Sequence, residues 1–428
     1  MSAQKNASVM NFLNEVAEAY PSAISLAAGR PSNTLFDEIS AESLSRWITI
    51  FHGESPLAKV MQYGRTAGLA HELIAAQIAQ DDGVRANSAR TIVTAGCQEA
   101  LALCLPELCP DDTDVVLVRN PTYIGITGAA AGASVALHPL DGSVDGIDAQ
   151  IEHAVGTLAA DNRRVRAIYL IPDFDNPTGD TLSLEERLAI LASCERHRIV
   201  VLEDNPYGMF RYEGLPVPAM ASLDTAGCVI YLSTYSKTIA PALRVGAATL
   251  PETLFGDAKA QLDLFNRITE RKSFITVNTS QLCQAVVGGL LMERHGSLQS
   301  WLAPTVDVYR QNRDVMLAQL EESFAGNDSS IHWNHPQGGF FLSLDVPIDF
   351  HAELVADCAV QEGVIVLPMA FFAFDQTQNR RIRLAFSAQH PERIRAGVAA
   401  LSRFIARKLE QGMPSRRAST LVPEIVLD

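Results

Sequence analysis

The chain has no uninterrupted apolar run of about 18 residues, the length that a helix needs to cross a bilayer, so no membrane-spanning segment is predicted. Residues 1–14 lack the basic start and apolar stretch of a secretory signal. The net charge of −15 disfavours a nucleic-acid-binding surface. No repeat of fixed period is present, which disfavours solenoid architectures.

Cysteine is scarce, with seven in 428 residues, and no two of them form a Cys-x-x-Cys pair. No Cys/His cluster has the spacing of zinc ligands, so a metal site is not predicted. We expect reduced, mostly buried thiols in a reducing compartment, and hence a cytoplasmic protein. The length is sufficient for a large core and a second domain.

What the sequence does contain is a series of short apolar runs that alternate with helix-like stretches. Strands are predicted at residues 91–94, 114–118, 134–137, 166–171, 199–202, 229–232 and 245–250, with helices at about 95–108 and 184–197. Because the runs do not alternate with polar residues, they indicate strands buried on both faces. This pattern predicts an α/β fold with a mainly parallel sheet covered by helices, whose chemistry lies at the carboxyl ends of the strands.

The second half of the chain changes character. A largely helical stretch runs from about residue 253 to 320, and strand-like segments follow at 338–344 and 381–387. We therefore expect four parts: an N-terminal segment 1–50 that packs on a small domain, a large domain 51–305, a small C-terminal domain 306–410 and a tail 411–428.

The most informative stretch is Ser-Thr-Tyr-Ser-Lys-Thr at residues 233–238, directly after an apolar run. The amine of Lys237 can form a Schiff base with an aldehyde. The several hydroxyls of this stretch, with the guanidinium of Arg244, can hold a phosphate dianion. Pyridoxal phosphate carries both groups. The alternative is a surface loop with an ordinary lysine, because the motif is short.

Two polar segments after predicted strands suit the same cofactor. Asp204 can keep a pyridine nitrogen protonated, and Tyr207 can donate to the ring oxygen. Asn176, in Asn-Pro-Thr-Gly, can donate to the same oxygen. For Asp204 the alternative is an acid that begins a turn, and for Tyr207 it is a packing residue. For Asn176 the alternative is that Asn-Pro-Thr-Gly is a simple turn.

A helix start and an arginine complete the candidate set. The backbone amides of Gly96, Cys97 and Gln98 can cradle a phosphate, although a plain connector is the alternative. Tyr123 can stack on a flat cofactor or belong to the core. Arg383, in an apolar strand, can bind a substrate carboxylate or form a structural salt bridge, and Arg381 is its rival.

Eight segments, taken in order and spacing, carry a resemblance: 24–31, 62–69, 94–101, 120–123, 176–179, 203–208, 235–241 and 336–339. The chain resembles the fold-type-I pyridoxal-phosphate aminotransferases of class I/II over about residues 20–405. It is most similar to the α-aminoadipate and kynurenine aminotransferases, a branch that also provides a domain of the MocR-type regulators. The resemblance implies an aspartate-aminotransferase-like fold, in which helices sandwich a seven-stranded sheet and a smaller α/β domain is attached.

The resemblance also implies roles residue by residue. Lys237 would form the Schiff base and shuttle the substrate proton, and Asp204 would pair with the pyridine nitrogen. The other cofactor-binding residues would be Tyr207 and Asn176 at the ring oxygen, Tyr123 on the ring, and Thr234, Ser236, Arg244, Gly96, Cys97 and Gln98 at the phosphate. Tyr63 would reach the phosphate of a neighbouring subunit, which implies a homodimer with shared sites.

The substrate would be held by Arg383 at its α-carboxylate, with Asn176 nearby. Arg30 departs from the family pattern, since many relatives have a small or apolar residue there. It can contact a distal acidic or polar group of the substrate, or face solvent. Cys97 stands where relatives usually have Ser, and Asn205 replaces a frequent acid.

The implied activity is transfer of an amino group between an L-amino acid and a 2-oxo acid. One alternative is another pyridoxal-phosphate reaction on the same fold, such as elimination, decarboxylation or cyclisation. A MocR-type regulator would need a DNA-binding domain, for which the residues before about Pro21 leave no room. The intact Lys237 and Asp204 count against an inactive binding protein.

Overall fold

The computed structural model describes residues 16, 18–37, 39–53, 57–324 and 330–411. The strands are β1 (Ile24–Ser25), β2 (Thr91–Thr94), β3 (Asp114–Val118), β4 (Ala136–Pro139), β5 (Arg164–Leu170), β6 (Val200–Asn205), β7 (Val229–Thr234), β8 (Gly246–Thr249), β9 (His332–Trp333), β10 (Phe341–Asp345), β11 (Val364–Ile365), β12 (Leu367–Pro368) and β13 (Arg381–Ala385). The helices are α1 (Ala41–His52), α2 (Ala58–Met61), α3 (His71–Asp82), α4 (Cys97–Leu108), α5 (Ile124–Gly132), α6 (Ile147–Ala160), α7 (Leu184–His197), α8 (Met220–Leu223), α9 (Ala258–Ile275), α10 (Gln281–Glu293), α11 (Gln299–Phe324), α12 (Ala352–Glu362) and α13 (Pro391–Glu410). Segment 1–15 and tail residues 412–428 lie outside the described residues.

A seven-stranded sheet forms the centre of the large unit, in the order β2-β8-β7-β6-β5-β3-β4. Neighbours from β4 to β7 are parallel, and β8 runs antiparallel to both β7 and β2. The predicted mainly parallel sheet is confirmed. The parallel register brings the ends of β5, β6 and β7 to one edge, where loops can build a site.

Helices cover both faces of this sheet. In β3, Val116 and Val118 belong to one buried cluster, whereas Val115 and Leu117 belong to another. Side chains alternate between the two faces of a strand, so both faces are dry. This burial explains why the runs are continuously apolar rather than alternating.

Several strand ends differ from the sequence prediction by one to three residues, and two of these differences have structural consequences. The fourth strand begins at Ala136, because Ser134 is left-handed (φ 56°) and the N–H of Val135 donates to the carbonyl of Ala130, which closes α5. The strand predicted at 199–202 continues to Asn205. Asp204 is therefore the penultimate residue of β6 and does not belong to the loop after it.

A smaller unit lies beside the large sheet. It contains the antiparallel sheet β12-β13-β10-β9 and the parallel pair β1-β11. Its core includes Leu342, Leu384 and Phe404, from two strands and α13. The predicted smaller α/β unit is present.

The N-terminal segment is divided between the two units. Pairing of β1 with β11 joins it to the small unit, as expected. Helix α1 packs instead on α10 of the large unit: Trp47 is buried there, and its indole N–H donates to Glu293 at 2.9 Å. The expectation that all of 1–50 packs on the small domain is corrected for this helix, whose apolar face fits the large unit.

Helix α11 crosses the predicted boundary at 305/306 without a break. Trp301 and Leu302 pack in the core of the large unit, whereas Met316 and Leu320 pack in that of the small unit. This helix therefore contributes to both cores.

The seven cysteines are free thiols and six of them are buried. Burial raises the pKa of Cys104 to about 12, so this thiol stays protonated. Within the described ranges, no helix is both long and apolar enough to span a membrane.

Candidate active site

A cavity of about 980 Å³ opens where the carboxyl ends of β5, β6 and β7 meet the small unit. Its wall contains most of the residues predicted from the sequence: Arg30, Cys97, Gln98, Tyr123, Asn176, Asp204, Tyr207, Thr234, Ser236, Lys237, Arg244 and Arg383. Gly96 lies next to the guanidinium of Arg244. Tyr63 is the exception, since it is 79% exposed and lies outside the cavity.

Lys237 lies in the tight turn after β7, which is closed by the N–H of Ile239 donating to the carbonyl of Tyr235. Its amine donates to the carbonyl of Gly29 at 3.1 Å. Burial, with the cations Arg383 and Arg244 nearby, lowers the pKa of Lys237 from 10.5 to about 8. An amine of this kind is partly neutral near neutral pH and can act as a nucleophile and base.

Asp204 is a buried carboxylate with one free oxygen. The hydroxyl of Tyr169 donates to its Oδ2 at 2.7 Å. Its Oδ1 has no hydrogen-bond partner among the described residues. Burial raises the pKa of Asp204, while the Cys97 thiol, the Tyr169 hydroxyl and the Lys237 amine oppose that rise. A buried acceptor without a donor is costly, so Oδ1 suits an N–H group of a ligand.

The start of α4 forms a cradle for an anion. Gly96, its N-cap, has a φ of 83°, and an added Cβ would lie 2.8 Å from Nη2 of Arg244. No side chain among the described residues caps this helix, so its first amides are free, and Cys97 and Gln98 line the cavity. The guanidinium of Arg244 donates to Ser236 Oγ at 3.1 Å, and the Thr234 hydroxyl donates to the same oxygen at 3.0 Å. Free amides, hydroxyls and a fixed cation suit a phosphate.

Three side chains surround the middle of the cavity. The amide of Asn176 lies beside the phenol of Tyr207, and burial raises the pKa of that phenol far above its usual value. Burial also raises the pKa of Tyr123 to about 12, and its hydroxyl accepts a hydrogen bond from Gln98 Nε2 at 3.1 Å. Both phenols therefore stay protonated and can donate hydrogen bonds.

Arg383 is almost fully buried, with its guanidinium carbon 4.3 Å from the ring centre of Phe341 and 4.8 Å from that of Phe372. Its Nη1 donates to Asn176 Oδ1 and its Nη2 to the carbonyl of Ala27, both at 2.6 Å. Its Nε has no partner among the described residues. Burial lowers the pKa of Arg383 to about 10, so it stays charged at neutral pH. A buried cation of this kind, paired with no carboxylate in the described chain, suits the carboxylate of a ligand.

The rival of Arg383 has a different environment. Arg381 faces Asp345 across the β10–β13 pair, and its Nε donates to that carboxylate at 2.5 Å. It does not line the cavity. Arg30 does line the cavity, with an exposed side chain near the mouth.

Sequence reasoning missed Tyr169 and the two rings that enclose Arg383, Phe341 and Phe372. One weak signal for Tyr169 was available. A tyrosine inside a strand buried on both faces needs a partner for its hydroxyl, and the next strand ends in acids. The two phenylalanines had no such signal, because a ring in an apolar segment usually belongs to the core.

The family described as aminotransferase class I and II matches residues 22–401. The chain belongs to the aminotransferase class I and II family. This aminotransferase is 36% identical to a (S)-3,5-dihydroxyphenylglycine transaminase from Amycolatopsis orientalis over 411 residues, which cover 94% of this chain and 92% of that protein. It is 28% identical to an aromatic-amino-acid aminotransferase from Thermococcus litoralis, over 91% of this chain and 89% of that one.

Solved structures show the same fold. A kynurenine aminotransferase from Pyrococcus horikoshii, crystallised with pyridoxamine phosphate, superposes with a TM-score of 0.80 at 26% identity over 94% of this chain and 95% of that chain. The protein is thus a fold-type-I, pyridoxal-phosphate-dependent aminotransferase, as the motifs indicated.

The cavity fits this cofactor on features of the chain itself. The free oxygen of Asp204 suits a protonated ring nitrogen, and the uncapped start of α4 beside Arg244 suits the phosphate. The amine of Lys237 suits the aldehyde. These three features line one cavity.

Proposed function

We propose that this aminotransferase transfers an amino group from an amino acid with a large, mainly apolar side chain to a 2-oxo acid, with Lys237 as the catalytic amine. When bound, pyridoxal phosphate would supply an aldehyde that reacts with amines and a ring that withdraws electrons from the substrate Cα. Asp204 would hold the ring nitrogen, and Tyr207 and Asn176 the ring oxygen. Tyr123 would stack on the ring, while Thr234, Ser236, Arg244 and the amides of Gly96, Cys97 and Gln98 would hold the phosphate.

The observation that carries this assignment is the enclosed amine of Lys237, whose pKa is about 8. In the neutral form its Nζ can take the proton from the substrate Cα and return it on the other side of the reaction. The nearby cations Arg383 and Arg244 favour that neutral form. The same atom thus serves as nucleophile and base.

Arg383 would position the amino acid by its α-carboxylate. Its free Nε and fixed guanidinium plane favour a bidentate carboxylate, and the flanking rings of Phe341 and Phe372 exclude water. Nη1 of Arg383 also donates to Asn176. One hydrogen bond therefore joins the residue proposed to bind the substrate carboxylate to a residue proposed to bind the ring oxygen.

The substrate class is supported by the rest of the cavity wall. Beyond the cofactor and carboxylate groups it is mainly apolar, with Ile124, Ile365, Leu367 and Phe372. Two relatives act, by their names, on dihydroxyphenylglycine and on aromatic amino acids. The only further cation in the wall within the described residues is Arg30, which we propose contacts a polar or acidic group at the distal end of a substrate.

We also propose a homodimer in the cytoplasm. Large apolar side chains are exposed in two segments that contact each other, at Leu57, Met61 and Tyr63 and at Phe274, Ile275, Val277 and Leu282. The side chain of Gln281 donates to the carbonyl of Gln62 and so places the two segments side by side. Exposed apolar patches mark interfaces. Free, mostly buried thiols support a reducing compartment.

Replacing Lys237 by Ala tests the central assignment. We expect the variant to fold and to lose turnover, and borohydride to fix no pyridoxyl group on the chain, whereas the parent protein is labelled at position 237. Lys259→Ala, at an exposed lysine on α9, should leave turnover and labelling unchanged. Normal turnover of the Lys237 variant would contradict the assignment.

A second measurement separates transamination from elimination, decarboxylation or cyclisation. In a single half-reaction with an aromatic amino acid, transamination yields one 2-oxo acid for each pyridoxamine phosphate formed. Release of ammonia or carbon dioxide without pyridoxamine phosphate would contradict the proposal.

A further inference from the structure

We infer that Tyr169 is a positioning residue: its hydroxyl fixes one oxygen of Asp204 so that the other is presented to the ring nitrogen of the cofactor. The inference rests on the proposed role of Asp204. Tyr169 does not line the cavity and carries no motif, so neither the sequence nor the family match assigns it a role.

The geometry follows from the sheet. Tyr169 of β5 lies opposite Leu202 of the parallel strand β6, and Asp204 is two residues further along. Side chains two residues apart share a face, so Tyr169, Leu202 and Asp204 point to the same side of the sheet. The tyrosine ring is 1% exposed, and its hydroxyl lies 2.7 Å from Oδ2 of Asp204. The contact therefore links adjacent strands at the floor of the site.

The direction of this hydrogen bond is fixed. Burial and the neighbouring Asp204 carboxylate raise the pKa of Tyr169 well above 10, so the phenol keeps its proton and donates it. A carboxylate that accepts at Oδ2 is hindered from rotating, which leaves Oδ1 as the free acceptor. Burial raises the pKa of Asp204, and the bond from Tyr169 opposes that rise and aims the acid in one direction.

Other groups that face Asp204 cannot replace this contact. They are the thiol of Cys97 on α4, the amine of Lys237 in the turn after β7, and the phenols of Tyr123 and Tyr207, which have partners in Gln98 and Asn176. A thiol is a weak donor, and the amine is committed to the reaction. Without Tyr169 we expect Asp204 to take up a proton at higher pH, and a protonated acid no longer pairs with a cationic nitrogen.

Tyr169→Phe removes the hydroxyl and keeps the ring. We expect the dissociation constant of pyridoxal phosphate from the apoprotein to rise about 10-fold or more, as for loss of a hydrogen bond to a charged group. The ratio of the variant constant to the parent constant should grow as the pH falls. With saturating cofactor, kcat should fall while KM for the amino donor stays the same.

Tyr231→Phe is the matched control. Tyr231 is an equally buried strand tyrosine on β7, but its hydroxyl accepts from Asn205 and lies outside the cavity. Its loss should leave cofactor affinity unchanged. In an Asp204→Asn background, Tyr169→Phe should cause no further loss, because the two changes remove one interaction.

The inference is wrong if Tyr169→Phe binds pyridoxal phosphate like the parent, if Tyr231→Phe weakens it equally, or if the losses add in the Asp204→Asn background. Failure of the proposed function would look different. In that case the parent protein itself would bind no pyridoxal phosphate, or its Lys237→Ala variant would turn over normally.

Discussion

Lys237 shows how single residues set the chemistry of this site. Burial and two nearby guanidinium groups favour its neutral form, and its pKa falls to about 8. The neutral fraction of this lysine therefore rises as the pH increases through that value. In the apoprotein we expect the rate of acylation of Lys237 by an amine-specific reagent to reach half its maximum near pH 8. Peptide mass spectrometry after timed labelling would measure it.

Two arginines on one strand provide the comparison. Arg383 lowers the pKa of Lys237, so Arg383→Met should move the half-maximum to higher pH. Arg381 is already paired with Asp345 and lies outside the cavity, so Arg381→Met should leave the pH of half-maximal acylation unchanged. An unmoved midpoint in the Arg383 variant would argue against electrostatic control of this lysine.

The same pair shows what the sequence could and could not predict for single residues. A period of two places Arg381 and Arg383 on one face of a strand, so spacing alone cannot separate them. The register separates them: Arg381 lies opposite Asp345, and Arg383 lies opposite Ser343. Such cross-strand neighbours depend on the fold. The contact of Tyr169 with Asp204 also joins two strands, so the sequence did not predict it.

At the scale of elements, helix α5 forms part of the cavity wall and limits the space available to a substrate side chain. Gly128 lines the cavity, and a Cβ added there would meet no atom within 4 Å. A leucine at this position would project into the cavity while the helix gains intrinsic stability. We expect Gly128→Leu to lower kcat/KM for aromatic amino acids by about 10-fold or more, and for alanine much less, since only large side chains need that space. Steady-state kinetics with a series of donors would measure it.

Gly132 on the same helix is the matched control. A Cβ there also meets no atom within 4 Å, but Gly132 does not line the cavity. Gly132→Leu should gain similar helix stability and keep the substrate profile. Equal losses for alanine and aromatic donors in Gly128→Leu would contradict the proposed substrate class.

The seven strands of the large sheet were predictable because their signals are local. The apolar runs and the Ser183–Glu186 capping box mark strands and the start of α7 without reference to the rest of the chain. The shift of β4 was not predictable, because it depends on how α5 closes, through left-handed Ser134. The attachment of α1 to the large unit depends on the bond from Trp47 to Glu293, which is remote in sequence.

At the scale of the whole molecule, the site exists only because distant parts of the chain meet. Gly29 contacts Lys237, and Ala27 and Asn176 contact Arg383. The order of motifs indicated which residues take part, whereas their distances required the fold. The domain boundaries at 50/51 and 305/306 stay a prediction, and α11 runs through the second of them.

Tyr63 leads to a prediction about assembly. It lies outside the cavity of its own chain, on the apolar surface that also includes Phe274. If that surface joins two copies, Phe274→Glu should shift the protein towards monomers in analytical ultracentrifugation, because a charge would be buried there. Leu215→Glu, at another highly exposed apolar side chain, should leave the association unchanged.

Mixed dimers test whether the site is shared between copies. Lys237→Ala lacks the amine, and Tyr63→Ala lacks the proposed phosphate contact, so each variant alone should have low activity. In a heterodimer of the two, one site combines Lys237 from one copy with Tyr63 from the other. Random reassociation makes about half of the dimers mixed, each with one complete site of two, so about a quarter of the parent activity should return. Activity no greater than the average of the two single variants would show that Tyr63 does not serve the partner's site.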